Sequence, residues 1–110
     1  MKESAIELRI GLDDDRIPER ILWRAEDGSA EGFTEAKSLT LALWDDRTKE
    51  TVRIDLWTKD MPVFDMKRFY VETLGSMAES LLAATGDEFM ADEMRILCNR
   101  LAEHIQKDAK

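Results

Sequence analysis

A chain of 110 residues, 36% charged and 44% hydrophobic, has the size of one domain, 1–110, and a composition that buries a core instead of staying disordered. The formal charge of −8, from 24 acidic against 16 basic residues, opposes a phosphate backbone and an anionic lipid surface, so nucleic acid is excluded as an expected partner. No signal-peptide core and no run of ~20 apolar residues occurs, and the lone Cys98 makes neither an internal disulfide nor a cysteine metal site; the expected location is the cytoplasm, without membrane insertion.

Ile6, Leu8, Ile10 and Leu12 alternate with Glu7, Arg9 and Gly11, the period-two pattern of a strand with one buried face, placed within 4–12. Asp13-Asp14-Asp15 breaks the pattern, and Pro18, which cannot donate to a ladder, puts a turn ahead of a second strand at 20–25. There Ile21, Trp23 and Ala25 are expected to face in, and Arg20, Leu22 and Arg24 out. From Glu26 to Glu35 glycines, acids and hydroxyl residues dominate, which reads as a loop.

Residues 38–44 fit two patterns. Leu39, Leu41 and Leu43 alternate as in a strand, yet Ala36, Leu39 and Leu43 also suit a helix capped by Thr34. The strand at 50–58 favours the first reading, because a hairpin centred on Arg47 and Thr48 sets Leu43 opposite Val52, Leu41 opposite Ile54 and Leu39 opposite Leu56. A slip of one residue would set leucines against Arg53 and Asp55.

Asp60 is the expected cap of a first helix, about 61–84, with Pro62 tolerated in its first turn. Two stripes run along it: Val63, Met66, Tyr70, Leu74, Met77 and Leu81, and a second of Phe64, Val71, Ala78 and Leu82, which would meet another helix or another subunit. Gly86 stops the helix and Asp87 caps the next, about 87–107, whose apolar stripe is Met90, Met94, Leu97, Cys98, Leu101 and Ile105. The expected fold is α+β: a four-stranded antiparallel sheet followed by two C-terminal helices packed on one of its faces.

No arrangement here carries a reaction. The aspartates at 13–15 lack EF-hand spacing, since the position twelve on is Arg24 or Ala25 instead of glutamate. His104 has no nucleophile in a recognisable motif, and Cys98 falls inside an apolar stripe as a small buried hydrophobe. Catalytic, cofactor and metal residues are therefore expected to be none. The tryptophans say more: if Ile54 and Leu56 face in, then Trp44, Arg53, Asp55 and Trp57 share the outer face, either packed on neighbours with Arg53 or Arg24 stacked over an indole, or open as an interaction patch.

Gly11-Leu12-Asp13, Arg16-Ile17-Pro18-Glu19, Trp23, Leu43-Trp44-Asp45 and above all Arg53-Ile54-Asp55-Leu56-Trp57-Thr58-Lys59-Asp60-Met61-Pro62-Val63 resemble the gliding motility-associated protein GldC family of Bacteroidota along nearly the whole chain. The resemblance implies association with bacterial gliding motility, in a small cytoplasmic protein with no assigned enzymatic activity, and it brings no functional residues with it. The expected role is that of a non-enzymatic interaction protein, a homo-oligomer, whose protein partners are unidentified. The order of strands and helices and the acidic charge also resemble the layout of the export chaperone SecB, which would imply a holdase for exported proteins.

Overall fold

A computed structural model describes residues 1–28 and 32–108. The chain divides into two compact units, Met1–Met61 and Pro62–Lys110. The first holds β1 (Ile6–Leu12), β2 (Pro18–Ala25), β3 (Thr34–Ala36), β4 (Ser38–Asp45) and β5 (Glu50–Trp57), and the second α1 (Val63–Thr85) and α2 (Glu88–Asp108).

β1 and β2 pair antiparallel with Ile6 opposite Ala25, Leu8 opposite Trp23 and Ile10 opposite Ile21. Apolar residues thus meet apolar residues on one face, as period-two side chains require. Ile21 is fully buried, while Trp23 keeps 40% of its surface in solvent, so the inward row is covered at its centre and open toward its end. On the other face Glu7 accepts from Arg9 Nε at 2.8 Å and Arg24 Nη2 at 2.7 Å, and both guanidinium groups stack over Phe33, 4.7 and 4.8 Å from its centroid. The ring that attracts Arg24 is therefore Phe33 and not an indole.

The expected single four-stranded sheet is corrected to two sheets. β1, β2 and β3 form one in that order, and β4 and β5 form the other. The reason lies at Lys37, a bend between β3 and β4: one extended stretch pairs with β2 before it, Ala36 opposite Ile21, and with β5 after it, Ser38 opposite Trp57. Thr34 to Ala36 lies partly within the stretch expected as loop, because three residues containing Thr and Glu show no alternation to read. The stretch 38–45 is strand, and its register is the one the leucines specify: Leu39 opposite Leu56, Leu41 opposite Ile54, Leu43 opposite Val52. Asp45 closes the hairpin by accepting the N–H groups of Arg47 and Thr48 at 2.8 and 3.0 Å.

Asp13 builds the turn between β1 and β2. Its Oδ1 accepts from the N–H of Asp15 at 2.9 Å and of Ile17 at 3.0 Å, while Arg16 takes a positive φ of 64°. The acidic run is thus a turn organised by its first carboxylate, an Asx motif.

In the second unit Pro62 occupies the position before α1 with extended dihedrals and no side-chain cap bond. The expected cap by Asp60 is not formed, because its carboxylate is engaged by Thr58 and Lys37. Gly86 ends α1 in the left-handed conformation, its N–H donating to Leu82 O at 2.8 Å. Asp87 caps α2 through the Met90 N–H at 2.9 Å. Among the described residues of this unit Ala78, Ala91 and Ile105 are the buried apolar ones, and small side chains let α1 and α2 approach closely. Cys98 Sγ donates to Val71 O at 3.3 Å, and Arg95 reaches Glu79 at 2.8 Å. No described helix is long and apolar enough to cross a membrane.

Candidate interaction face

The register of β4 and β5 builds this face row by row. Trp44 lies opposite Thr51, Ala42 opposite Arg53, Thr40 opposite Asp55 and Ser38 opposite Trp57, all on one side because side chains alternate along each strand. Trp44 is 65% and Trp57 53% exposed. They do not touch one another: the rows at Thr51 and Trp57 are six residues apart, about 20 Å along a strand.

A polar centre lies between them. Thr40 Oγ1 donates to Asp55 Oδ1 at 2.6 Å, and Arg53 Nη2 reaches the same oxygen at 2.9 Å and Thr40 Oγ1 at 3.1 Å. The Thr40 hydroxyl, with the Arg53 guanidinium adding to it, holds the Asp55 carboxyl below the usual carboxylate range. Trp44, Arg53, Asp55 and Trp57 thus share one face, with the charged pair at its middle and an indole at each end. On the opposite face Leu43, Val52 and Ile54 are about half exposed.

The four residues of the second α1 stripe are placed differently. Ala78 is buried, Phe64 is 41% exposed, Val71 supplies the carbonyl that Cys98 bonds, and Leu82 the one that Gly86 bonds.

A cluster that sequence reasoning missed sits where β5 ends. Thr58, 1% exposed, donates its hydroxyl to Asp60 Oδ1 at 2.6 Å and its N–H to Lys37 O at 2.8 Å. Lys37 Nζ meets Asp60 Oδ2 at 3.2 Å. Lys59 Nζ meets Asp13 Oδ2 at 3.1 Å and Glu19 Oε1 at 3.5 Å, and its N–H bonds Pro18 O. The signal was available, since Thr58 continues the inward parity of Ile54 and Leu56.

The charged groups here are stabilised as charges. Hydrogen bonds, first from the Ile17 N–H and then from Lys59, hold Asp13 below its ordinary value; Thr58 and then Lys37 do so for Asp60. Asp60 and then Glu35 push Lys37 up, and Asp13 does the same for Lys59. Among the described residues no group of three or more His, Cys, Asp or Glu side chains is placed to hold a metal ion.

A family model described as gliding motility-associated protein GldC-like matches residues 18–107, from the start of β2 into the last turn of α2. No curated protein and no solved structure matches the chain.

Proposed function

The chain belongs to the GldC-like family of gliding motility-associated proteins, and from that premise we propose that it is a non-enzymatic, cytoplasmic accessory protein of gliding, a homo-oligomer whose association surface is the outer face of the β4–β5 ribbon. The observation that carries the reading is the outer face of that ribbon, where Trp44 and Trp57 stand in solvent on either side of a satisfied Thr40–Asp55–Arg53 network. Trp and Arg are the side chains that dominate binding hot spots. The carboxylates whose affinities are shifted are each held toward the charged form, the reverse of a general acid poised near neutrality.

The test is genetic and biophysical together. A strain lacking the gene, complemented with the parent chain or with Trp57→Ala, is scored for gliding of single cells. Trp57→Ala should fold with the parent's thermal midpoint and fail to restore gliding. Full restoration, or a large loss of thermal stability with association unchanged, would remove the face from the account.

A second reading, a holdase for exported proteins, draws on the opposite face, where Leu43, Val52 and Ile54 are 56%, 50% and 47% exposed. Adjoining apolar side chains left in solvent would offer an unfolded segment a place to dock. A holdase suppresses aggregation of unrelated unfolded proteins at near-equal molar ratio, whereas a dedicated accessory protein leaves that aggregation unchanged.

A further inference from the structure

We propose that the outer face of the β4–β5 ribbon is self-complementary and pairs with the same face of a second copy of this chain, a deepening that rests on reading this ribbon as the interaction surface. A twofold axis lying between two such faces and perpendicular to the strands sets β4 over β4 and β5 over β5, with the order of the rows reversed. Along β4 the outward residues are Ser38, Thr40, Ala42 and Trp44; along β5 they are Thr51, Arg53, Asp55 and Trp57. Reversal puts Trp44 over Ser38 of the second copy and Trp57 over its Thr51, so each indole meets the smallest neighbour on its strand's end row. At the centre Arg53 meets Asp55 of the second copy and Asp55 meets its Arg53.

Charge and hydrogen bonding fit this occupant. A chain of net −8 repels its own copy, but residues 38–57 hold Asp45, Asp46, Glu50 and Asp55 against Arg47, Lys49 and Arg53, a net of −1, and the outer face itself carries one cation and one anion. Both bonds of Arg53 within the chain leave from Nη2, and a guanidinium fork has further N–H donors to offer a second carboxylate. A face about 20 Å long belongs with the small, reversible interfaces, so association is read at protein concentrations on the order of 100 µM.

The experiment exchanges charges on the full chain and measures mass by sedimentation equilibrium. Arg53→Asp makes the centre wholly acidic and Asp55→Arg wholly basic; each alone should weaken self-association about tenfold or more. Mixed at equal ratio the two variants should associate again, since an acidic centre then meets a basic one. The exchange variant carrying both Arg53→Asp and Asp55→Arg should also pair with itself, which separates lost complementarity from lost folding. A parent that stays monomeric, single variants that associate like the parent, or a mixture and exchange variant that both stay monomeric would each overturn the pairing. Because the readout is mass in solution, such a failure is distinct from a failure of the gliding assay.

Discussion

Gly75 offers the sharpest check on how α1 and α2 pack. Glycine inside a helix is about 0.8–1.0 kcal/mol less favourable than alanine, so Gly75→Ala would ordinarily stabilise. Here an added Cβ meets Cys98 Sγ at 3.3 Å, a few tenths of an ångström inside ordinary contact, and that sulfur is held by its bond to Val71 O at 3.3 Å. Displacing it strains a weak hydrogen bond and the helix contact together, so Gly75→Ala should leave stability within about 0.5 kcal/mol of the parent, most of the propensity gain being offset. In a Cys98→Ala background the obstruction is gone, and the same change should recover about 1 kcal/mol. The coupling between the two sites is then about 0.5–1 kcal/mol, read from a double-mutant cycle in urea with the helical circular dichroism signal and unchanged m-values. A full gain in the parent background, with no coupling to Cys98, would refute the close approach.

Asp87→Ala should cost about 1 kcal/mol in the stability of the helical unit, the usual loss for an N-cap, whereas Asp60→Ala should leave helix content unchanged, because Pro62 and not Asp60 precedes α1; circular dichroism of the two variants compares them directly. Thr58→Val keeps the buried shape and removes the bond to Asp60, and since that carboxylate is 64% exposed and rehydrates, the expected loss is about 1 kcal/mol, below the range for a bond to a charged group. Asp13, Asp55 and Asp60 have folded values held below ordinary ones, so the stability they contribute is present above the ordinary carboxylate value of about 4 and is lost as pH falls through the lower folded values; Asp13→Asn should flatten this acid limb in a pH titration of the sheet signal. Lys37 and Lys59 are raised, so their share is complete below the ordinary lysine value of about 10.4 and is lost as pH rises through the folded values.

The hairpin register was legible because six aliphatic residues alternate on two strands with a turn of fixed length between them, and only one pairing sets them against each other. The end of α1 and the start of α2 were legible for a similarly local reason: Gly86 and Asp87 act within one turn of their own positions. The division into two sheets was not. Lys37 carries no turn signature, and nothing in Thr34-Glu35-Ala36 announces that it pairs with β2, because strand partners are chosen by contacts distant in sequence. Asp60 misled for a related reason. Its spacing to the helix suits a cap, but a cap must compete with other donors, and the Thr58 hydroxyl and Lys37 ammonium take the carboxylate instead. Of the candidate face, parity put Trp44, Arg53, Asp55 and Trp57 on one side and the register set the indoles at its two ends, while the hydrogen bonds at the centre depend on side-chain conformations that no spacing encodes.

The string from Arg53 to Val63, the longest of the segments that carry the family resemblance, is largely a structural fastening. Ile54 and Leu56 hold the register against Leu41 and Leu39. Thr58 is buried and ties Asp60 to the end of the ladder. Lys59 joins β5 to the β1–β2 turn through Asp13 and Glu19, Met61 N–H returns to Thr58 O, and Pro62 leads into α1. Loss of function on substituting any of these reports a loosened fold before it reports a lost partner. Trp57 and Arg53 are different in kind, since their side chains lie outside the ladder and more than half in solvent. Replacing them removes surface without removing a strand pairing, and for that reason they, and not the more buried residues between them and the helix, separate a role in binding from a role in folding.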